Sequence, residues 1–197
     1  MTEGILRVPL HFDDPVEGLI SREWLITNGL GGFASGTLLG VNTRRHHGVF
    51  IPNLASPRGR TMLLPYLKEE VSIGQNKYEL GARELMQGKL EAPLLKEFYL
   101  EWHTPTWVFD LDGNIIEKRI FMPYGHNTVY ISYKLVKGES VSVKLRSYVS
   151  CRKHDSQLGY PEEWPFIVKS HGEQFEVSAF EGAHLMKMTV KPFRSAF

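Results

Sequence analysis

The chain has little cysteine, and it lacks the hydrophobic runs that mark export or membrane insertion. Cys151 is the only cysteine among 197 residues, so no internal disulfide is possible and a reducing compartment is favoured. The first residues, Met1 to Leu10, carry no basic segment followed by an apolar one, and no apolar run approaches the length that spans a bilayer. We therefore expect an unexported, cytoplasmic protein with no membrane partner.

A charge excess of one sign is also absent. The 23 basic side chains nearly cancel the 22 acidic ones. Proteins that neutralise phosphates usually show a clustered basic excess. The balance argues against nucleic acid as a partner.

No stretch rich in Pro, Ser or Gly and no run of like charges is long enough to act as a linker. A hydrophobic content of 42% in 197 residues is sufficient for one large core. The sequence predicts a single domain over residues 1–197.

The dominant hydrophobic period is two, which is the period of β-strands. Residues 103–149 predict a four-strand antiparallel meander, whose first hairpin turns at Asp112-Gly113-Asn114. Helical spacing is poor, with Ala82 to Leu90 as the best short candidate. Together these patterns predict an all-β fold, a large antiparallel β-sandwich with little helix. Further strands are predicted at Trp24 to Thr27, Phe33 to Leu39, Gly48 to Pro52, Phe166 to Lys169, Gln174 to Phe180 and His184 to Lys191.

The densest polar segment runs from Asn42 to His47 and contains Arg44, Arg45 and His46. If this segment is extended, Arg44 and His46 share one face and Arg45 and His47 share the other, which disfavours one metal held by both histidines. Two interpretations remain open: the side chains brace the fold, or some of them face a ligand or a partner. No other pattern suggests a metal or a cofactor, and we expect neither.

Catalytic residues for glycoside hydrolysis are not evident. That chemistry usually needs two carboxyl groups about 5 to 10 Å apart. Adjacent acids such as Glu69-Glu70 diverge to opposite faces of a strand, so they are poorly placed as a catalytic pair. The remaining acids show no better pairing. We expect no catalytic residue in this chain. The other acids considered, Asp13-Asp14, Asp112 and Glu162-Glu163, lie in predicted turns and loops.

Several aromatic residues offer flat apolar faces that suit sugar rings, although most are expected to fill the core. Trp164, between Glu163 and Pro165 in a predicted loop, is the one least explained by a buried strand face. It is the aromatic candidate for ligand binding. The other rings considered are Tyr99, Trp102, Trp107 and Tyr160.

Two long segments resemble the N-terminal domain of prokaryotic-type glycogen debranching enzymes, the amylo-α-1,6-glucosidase group. They are Glu23 to Thr37, which reads EWLITNGLGGFASGT, and Asn42 to Gly48, which reads NTRRHHG. Similar segments follow at Gly59 to Leu64, at Ile116 to Met122 and at the Arg152-Lys153-His154 corner. The chain departs from the family pattern at His46, where a tyrosine is common, and at Lys153-His154, which is one residue shorter.

The resemblance implies a large, supersandwich-like β-sandwich that precedes an (α/α)6 catalytic barrel, which these 197 residues do not include. It implies two partners, the C-terminal barrel and an α-glucan such as glycogen or its limit dextrin. It favours a role in shaping the barrel's cleft. The alternative is a stand-alone glycan-binding or structural module without catalysis. The residues expected to face substrate or the domain interface are Asn42, Arg44, Arg45, His47, Arg152, His154 and Trp164.

Overall fold

A computed structural model describes residues 5–8, 16–81, 83–84, 90–91, 94–156, 165–179 and 186–191. The chain divides into two compact units, Met1–Gln157 and Leu158–Phe197. That residues 1–197 act as a single domain stays a prediction. Within the described ranges, no helix has the length and the apolar character needed to cross a bilayer.

Nearly all regular structure is β-strand, and the one described helix is five residues long. In chain order the elements are β1 (Ile5–Val8), α1 (Val16–Ile20), β2 (Glu23–Thr27), β3 (Phe33–Thr37), β4 (Gly48–Ile51), β5 (Asn53–Leu54), β6 (Gly59–Met62), β7 (Tyr66–Ile73), β8 (Asn76–Glu79), β9 (Arg83–Glu84), β10 (Leu90–Glu91), β11 (Leu95–Glu101), β12 (Thr104–Leu111), β13 (Asn114–Phe121), β14 (Tyr130–Lys137), β15 (Ser142–Tyr148), β16 (Arg152–Lys153), β17 (Ile167–His171), β18 (Gln174–Ser178) and β19 (Met186–Thr189).

All described strand pairs are antiparallel. The largest sheet has the order β1-β11-β12-β13-β14, and three-stranded sheets have the orders β2-β3-β4, β15-β7-β8 and β16-β6-β5. The second unit contains a separate sheet, β17-β18-β19, which buries Val177 and Met186. The all-β, antiparallel β-sandwich class predicted from the period of two is confirmed.

Buried tryptophans join two of these sheets in the first unit. Trp24 on β2 meets Trp107 on β12 edge to face, with ring centroids 5.3 Å apart, and Phe98 on β11 lies 5.2 Å from Trp107. Each indole N–H finds a carbonyl acceptor: Trp107 donates to Leu38 at 2.7 Å and Trp24 donates to Thr37 at 3.1 Å. Burial of the rings therefore leaves no unpaired indole donor.

A buried polar cluster joins the large sheet to β7. Glu69 on β7 is 3% exposed and accepts hydrogen bonds from Lys118 on β13, at 2.7 and 2.8 Å, and from the Tyr133 hydroxyl on β14. Burial and the Glu69 carboxylate hold the pKa of Tyr133 well above its usual value. Two sheets thus pack face to face across apolar residues and one satisfied ionic group.

The predicted hairpin at Asp112-Gly113 is confirmed. β12 pairs with β13 through Leu111 and Asn114, and the two turn residues have φ of 53° and 90°. Such a turn needs positive φ at both central positions, which aspartate tolerates and glycine adopts freely.

One other expectation is wrong. The fourth strand of the meander, β15, leaves the large sheet and pairs with β7 along its length, from Ser142 opposite Ser72 to Tyr148 opposite Tyr66. A period of two identifies a strand but not its neighbour. Of the best short helix candidate, Ala82 to Leu90, the structure describes only residues 83–84 and 90, and these belong to the antiparallel pair of β9 and β10 instead.

Candidate functional site

An open cleft of about 440 Å³ lies over the outward face of the β2–β3 hairpin. Strand alternation buries Trp24 and Ile26 and turns Glu23, Leu25 and Thr27 outward. Across the hairpin, Leu25 pairs with Ser35 and Thr27 pairs with Phe33, so these side chains share that face. The residues that line the cleft are Glu23, Trp24, Leu25, Thr27, Gly31, Gly32, Phe33, Ser35, Arg44, His46, His47 and Arg60.

The polar segment before β4 forms a turn rather than an extended strand. The amide of His47 donates to the carbonyl of Arg44 at 3.0 Å, and the Ser35 hydroxyl donates to the carbonyl of His46 at 3.1 Å. The turn brings Arg44 and His47 to the same carboxylate. The placement of these two residues on opposite faces was expected only for an extended segment, and the segment is not extended.

Glu23 is the carboxylate at which they meet. Its Oε1 lies 2.6 Å from Arg44 Nε and 3.4 Å from His47 Nε2. The Glu23 side chain is 31% exposed, the Arg44 side chain 65% and the His47 side chain only 3%. A buried imidazole and an exposed guanidinium therefore hold one oxygen of a partly exposed carboxylate.

The tautomer of His47 follows from its contacts. Its Nδ1 accepts a hydrogen bond from the amide of Thr43 at 3.1 Å, so the ring proton lies on Nε2 and is donated toward Glu23. Burial lowers the pKa of His47, against the opposing effect of the Glu23 carboxylate. A neutral His47 satisfies both neighbours, whereas a protonated ring would direct an N–H at the Thr43 amide.

The other side of the cleft combines an aromatic ring with a cation. The Arg60 guanidinium lies 5.9 Å from the centroid of the Phe33 ring, and Arg60 Nε donates to the carbonyl of Gly31 at 2.7 Å. His154 meets Phe33 edge to face at 6.0 Å and lies 5.6 Å from His46. Burial lowers the pKa of His154, while Asp155 opposes this effect. His154 therefore packs against the Phe33 ring that lines the cleft.

The loop that connects β2 to β3 is fixed by Asn28, which is fully buried. Its side-chain Oδ1 accepts from the backbone amides of Leu30 and Gly32, both at 3.0 Å, and its side-chain Nδ2 donates to the carbonyl of His126 and to Asn127. Gly29 has a φ of 76°, and a Cβ there would overlap the Tyr124 ring. The segment from Asn28 to Gly32 thus forms a tight reversal beside the cleft.

Of the predicted site residues that the structure describes, Asn42, Arg45, Arg152 and His154 are not in the cleft lining. Asn42 donates to the carbonyl of Pro65 at 2.9 Å. Arg152 donates to the carbonyl of Arg45 at 2.8 Å and to the carbonyls of Lys153 and His154. Arg45 is exposed and its Nε lies 3.4 Å from His46 Nε2. Trp164, the aromatic candidate, lies outside the described residues.

The acidic side chains that stand out in the sequence are engaged elsewhere. Glu69 and Glu70 diverge as predicted: Glu69 is buried against Lys118, while Glu70 lies 3.8 Å from Lys77 on the other face. Asp112 accepts from the Tyr78 hydroxyl at 2.8 Å. Asp13, Asp14, Glu162 and Glu163 fall outside the described residues.

Sequence reasoning missed Glu23, Phe33 and Arg60 as site residues. The signal for Glu23 was present, because a period of two with Trp24 and Ile26 inward places Glu23 outward next to Leu25. Arg60 could not be found in this way, because it reaches the cleft from a different sheet. In the described part of the chain, no group of three or more His, Cys, Asp or Glu residues could hold a metal ion.

A comparison with protein families matches residues 22–195 to the family described as glycogen debranching enzyme N terminal. The matched region contains the whole cleft and most of the chain. No match was found among the curated proteins or the solved structures. Because the family match covers far more than half of its length, the chain belongs to the family of glycogen debranching enzyme N-terminal domains.

Proposed function

We propose that this chain is a non-catalytic accessory domain of a debranching enzyme that hydrolyses α-1,6-glucosidic branch points in the cytoplasm. In this proposal, the domain packs on an (α/α)6 catalytic barrel of the same protein and helps to shape the cleft that receives glycogen or limit dextrin. The family supplies the enzyme class. The residues that line the cleft support the proposal that this domain binds substrate or the barrel while the barrel carries the catalytic residues.

The observation that carries the proposal is the composition of the cleft. Of the described residues that line it, Glu23 alone is a carboxylic acid. Hydrolysis of a glycoside usually needs a second carboxyl group, one acting as acid and the other as base or nucleophile. A single carboxylate among arginine, histidine and phenylalanine supports binding or docking, and leaves the chemistry to another domain.

The charged rim also suits a neighbour. Arg45 is exposed at the turn before β4, beside the Arg44–Glu23 ion pair, and an arginine fork holds a carboxylate in a fixed geometry. Such a carboxylate on the barrel would fix the domain beside the catalytic cleft.

The proposal predicts that the 197-residue chain alone does not release glucose from limit dextrin. A glucose assay after incubation measures this, with the longer protein as the positive control. If the reading frame continues beyond Phe197, several hundred helix-patterned residues should follow. Sustained turnover by the short chain, lost on substitution of one of its Asp or Glu residues, would contradict the proposal.

A further inference from the structure

The Glu23 carboxylate is only half used by the protein. Arg44 and His47 both approach Oε1, and within the described residues nothing bonds to Oε2. The buried imidazole and the guanidinium fix the carboxylate in place, while one oxygen remains an acceptor on a side chain that lines the cleft. A pre-oriented acceptor reduces the entropic cost of binding a hydroxyl donor.

An apolar surface extends from this acceptor along the same face of the hairpin, from Leu25, two residues from Glu23, to Phe33, which lies opposite Thr27. Leu25 is 61% exposed. The Phe33 ring is partly buried and contacts the Arg60 guanidinium and the His154 ring. Small-ligand sites typically combine such an apolar wall with a few fixed polar groups. A sugar ring, with C–H groups on its faces and hydroxyls on its rim, has matching chemistry.

Charge favours a neutral ligand over an ionic one. The Glu23 carboxylate would repel an anion, Arg44 is already paired with Glu23, and Arg60 uses its Nε on a backbone carbonyl. The two arginines would in turn repel a cation. Hydroxyl groups, which both donate and accept, suit a cleft that offers a carboxylate acceptor next to guanidinium donors.

We propose that the cleft binds a short stretch of an α-glucan, with Glu23 accepting hydrogen bonds from the hydroxyls of one glucose unit and Phe33 packing against the ring face of a unit further along the chain. This inference rests on the proposed function, which it deepens by assigning the glucan to a defined site. Arg44 and His47 act as positioning residues, since they hold the carboxylate and reach the ligand only through it.

The test is a nuclear magnetic resonance titration of the 197-residue chain with maltotriose and, separately, isomaltotriose. We expect saturable shifts in the amides of β2, β3 and residues 44–47, with a Kd in the millimolar range. Glu23→Ala should weaken binding by about tenfold or more. Phe33→Leu, which stays apolar but loses the flat ring, should weaken it by a smaller factor.

Glu70→Ala is the matched control, because Glu70 is an acid on another sheet that pairs with Lys77 and should leave the Kd unchanged. Amide dispersion shows whether each variant is folded. If Glu23→Ala unfolds, Glu23→Gln replaces it: because Arg44 and His47 both donate at the Oε1 position, the Gln NH2 takes the Oε2 position and removes the free acceptor while the shape is kept. Citrate tests the alternative that the cleft takes a carboxylate. Absence of saturable shifts with either sugar, equal binding by the folded Glu23 variant, or binding of citrate alone would overturn the inference.

The experiments distinguish failure of the glucan site from failure of the proposed accessory function. If the sugars fail to bind but the longer protein loses debranching activity without this domain, the accessory role stands and the subsite is rejected. If the sugars bind through Glu23 while debranching is indifferent to the domain, the subsite stands and the accessory role is rejected.

Discussion

At the scale of single residues, the charged groups fall into two classes that sequence does not separate. Glu69 and Lys118 are 4% and 15% exposed in their side chains, whereas Arg44 is 65% exposed. A buried charge that loses its partner has no water to replace it, whereas an exposed charge is solvated again. Substitutions of similar chemistry should therefore have very different effects on stability.

Lys118→Met should lower the free energy of unfolding by about 3 to 5 kcal/mol, because it leaves the Glu69 carboxylate buried without a cation. Urea denaturation measures the loss. Adding Glu69→Gln, which removes the charge but keeps an acceptor for Tyr133, should recover part of it. The control Lys77→Met removes an exposed partner of Glu70 and should cost less than about 1 kcal/mol. A small loss for Lys118→Met would contradict the buried ion pair.

His47 should make stability depend on pH. Its pKa in the folded protein is below the ordinary value of 6.5, so the unfolded chain takes up a proton first as pH falls. The stabilisation from neutral His47 is complete above about pH 6.5 and is lost as pH falls from there toward the lowered pKa. His154, whose pKa is also lowered, acts in the same direction.

Thermal denaturation between about pH 7.5 and 5.5 should show this fall, and His47→Gln should make it shallower. His171→Gln changes an exposed histidine in the second unit and serves as the control. An unchanged slope in the His47 variant, or stability that rises toward low pH, would contradict the assignment.

At the scale of elements, the turn at Asp112-Gly113 has the clearest sequence signature. Gly113 has a φ of 90°, yet a Cβ there would meet no atom within 4 Å. Gly113→Ala should therefore cost about 1 kcal/mol, from backbone conformation alone. Gly113→Asn should cost less, since asparagine adopts positive φ more readily. Chemical denaturation of both variants checks the order, and equal stability of the alanine variant and the parent would argue against it.

The strands were predictable because each carries its own signal. Alternation at Glu23 to Thr27 and at residues 103–149 reflects which side of each strand faces the core. Alternation does not show which distant strand a given strand pairs with. β15 reads as the next strand of a meander, but it pairs with β7, which lies some seventy positions earlier in the chain.

The site was predictable in part for the same reason. Arg44 and His47 were found by their density in the sequence, while their shared partner Glu23 lies on a different strand. The turn at residues 44–47 brings them together, and no turn dipeptide marks it. Arg60 lies on β6 and His154 directly follows β16, so both contact Phe33 from the β16-β6-β5 sheet. The hydrophobic period of a single strand does not reveal contacts with another sheet.

At the scale of the whole molecule, Arg44 and Arg45 distinguish internal bracing from a role outside the chain. Arg44 is held by an exposed ion pair with Glu23, and Arg45 is exposed next to His46. Pairs of this kind contribute less than about 1 kcal/mol to stability. If the proposed function is right, their value to the protein should therefore appear in contacts with the catalytic barrel or a glucan.

Arg44→Ala and Arg45→Ala should each change the unfolding free energy of the 197-residue chain by less than about 1 kcal/mol. In the longer protein, at least one of them should lower debranching activity or weaken association of the domain with the barrel. Arg44→Ala should also weaken sugar binding by the short chain, because Glu23 loses the cation that fixes it, while Arg45→Ala should not. Denaturation of the short chain, sugar titration of both variants and activity of the longer protein separate these effects. Large and equal destabilisation of the short chain by both changes would show that the arginines brace the fold, and it would end the functional interpretation of this segment.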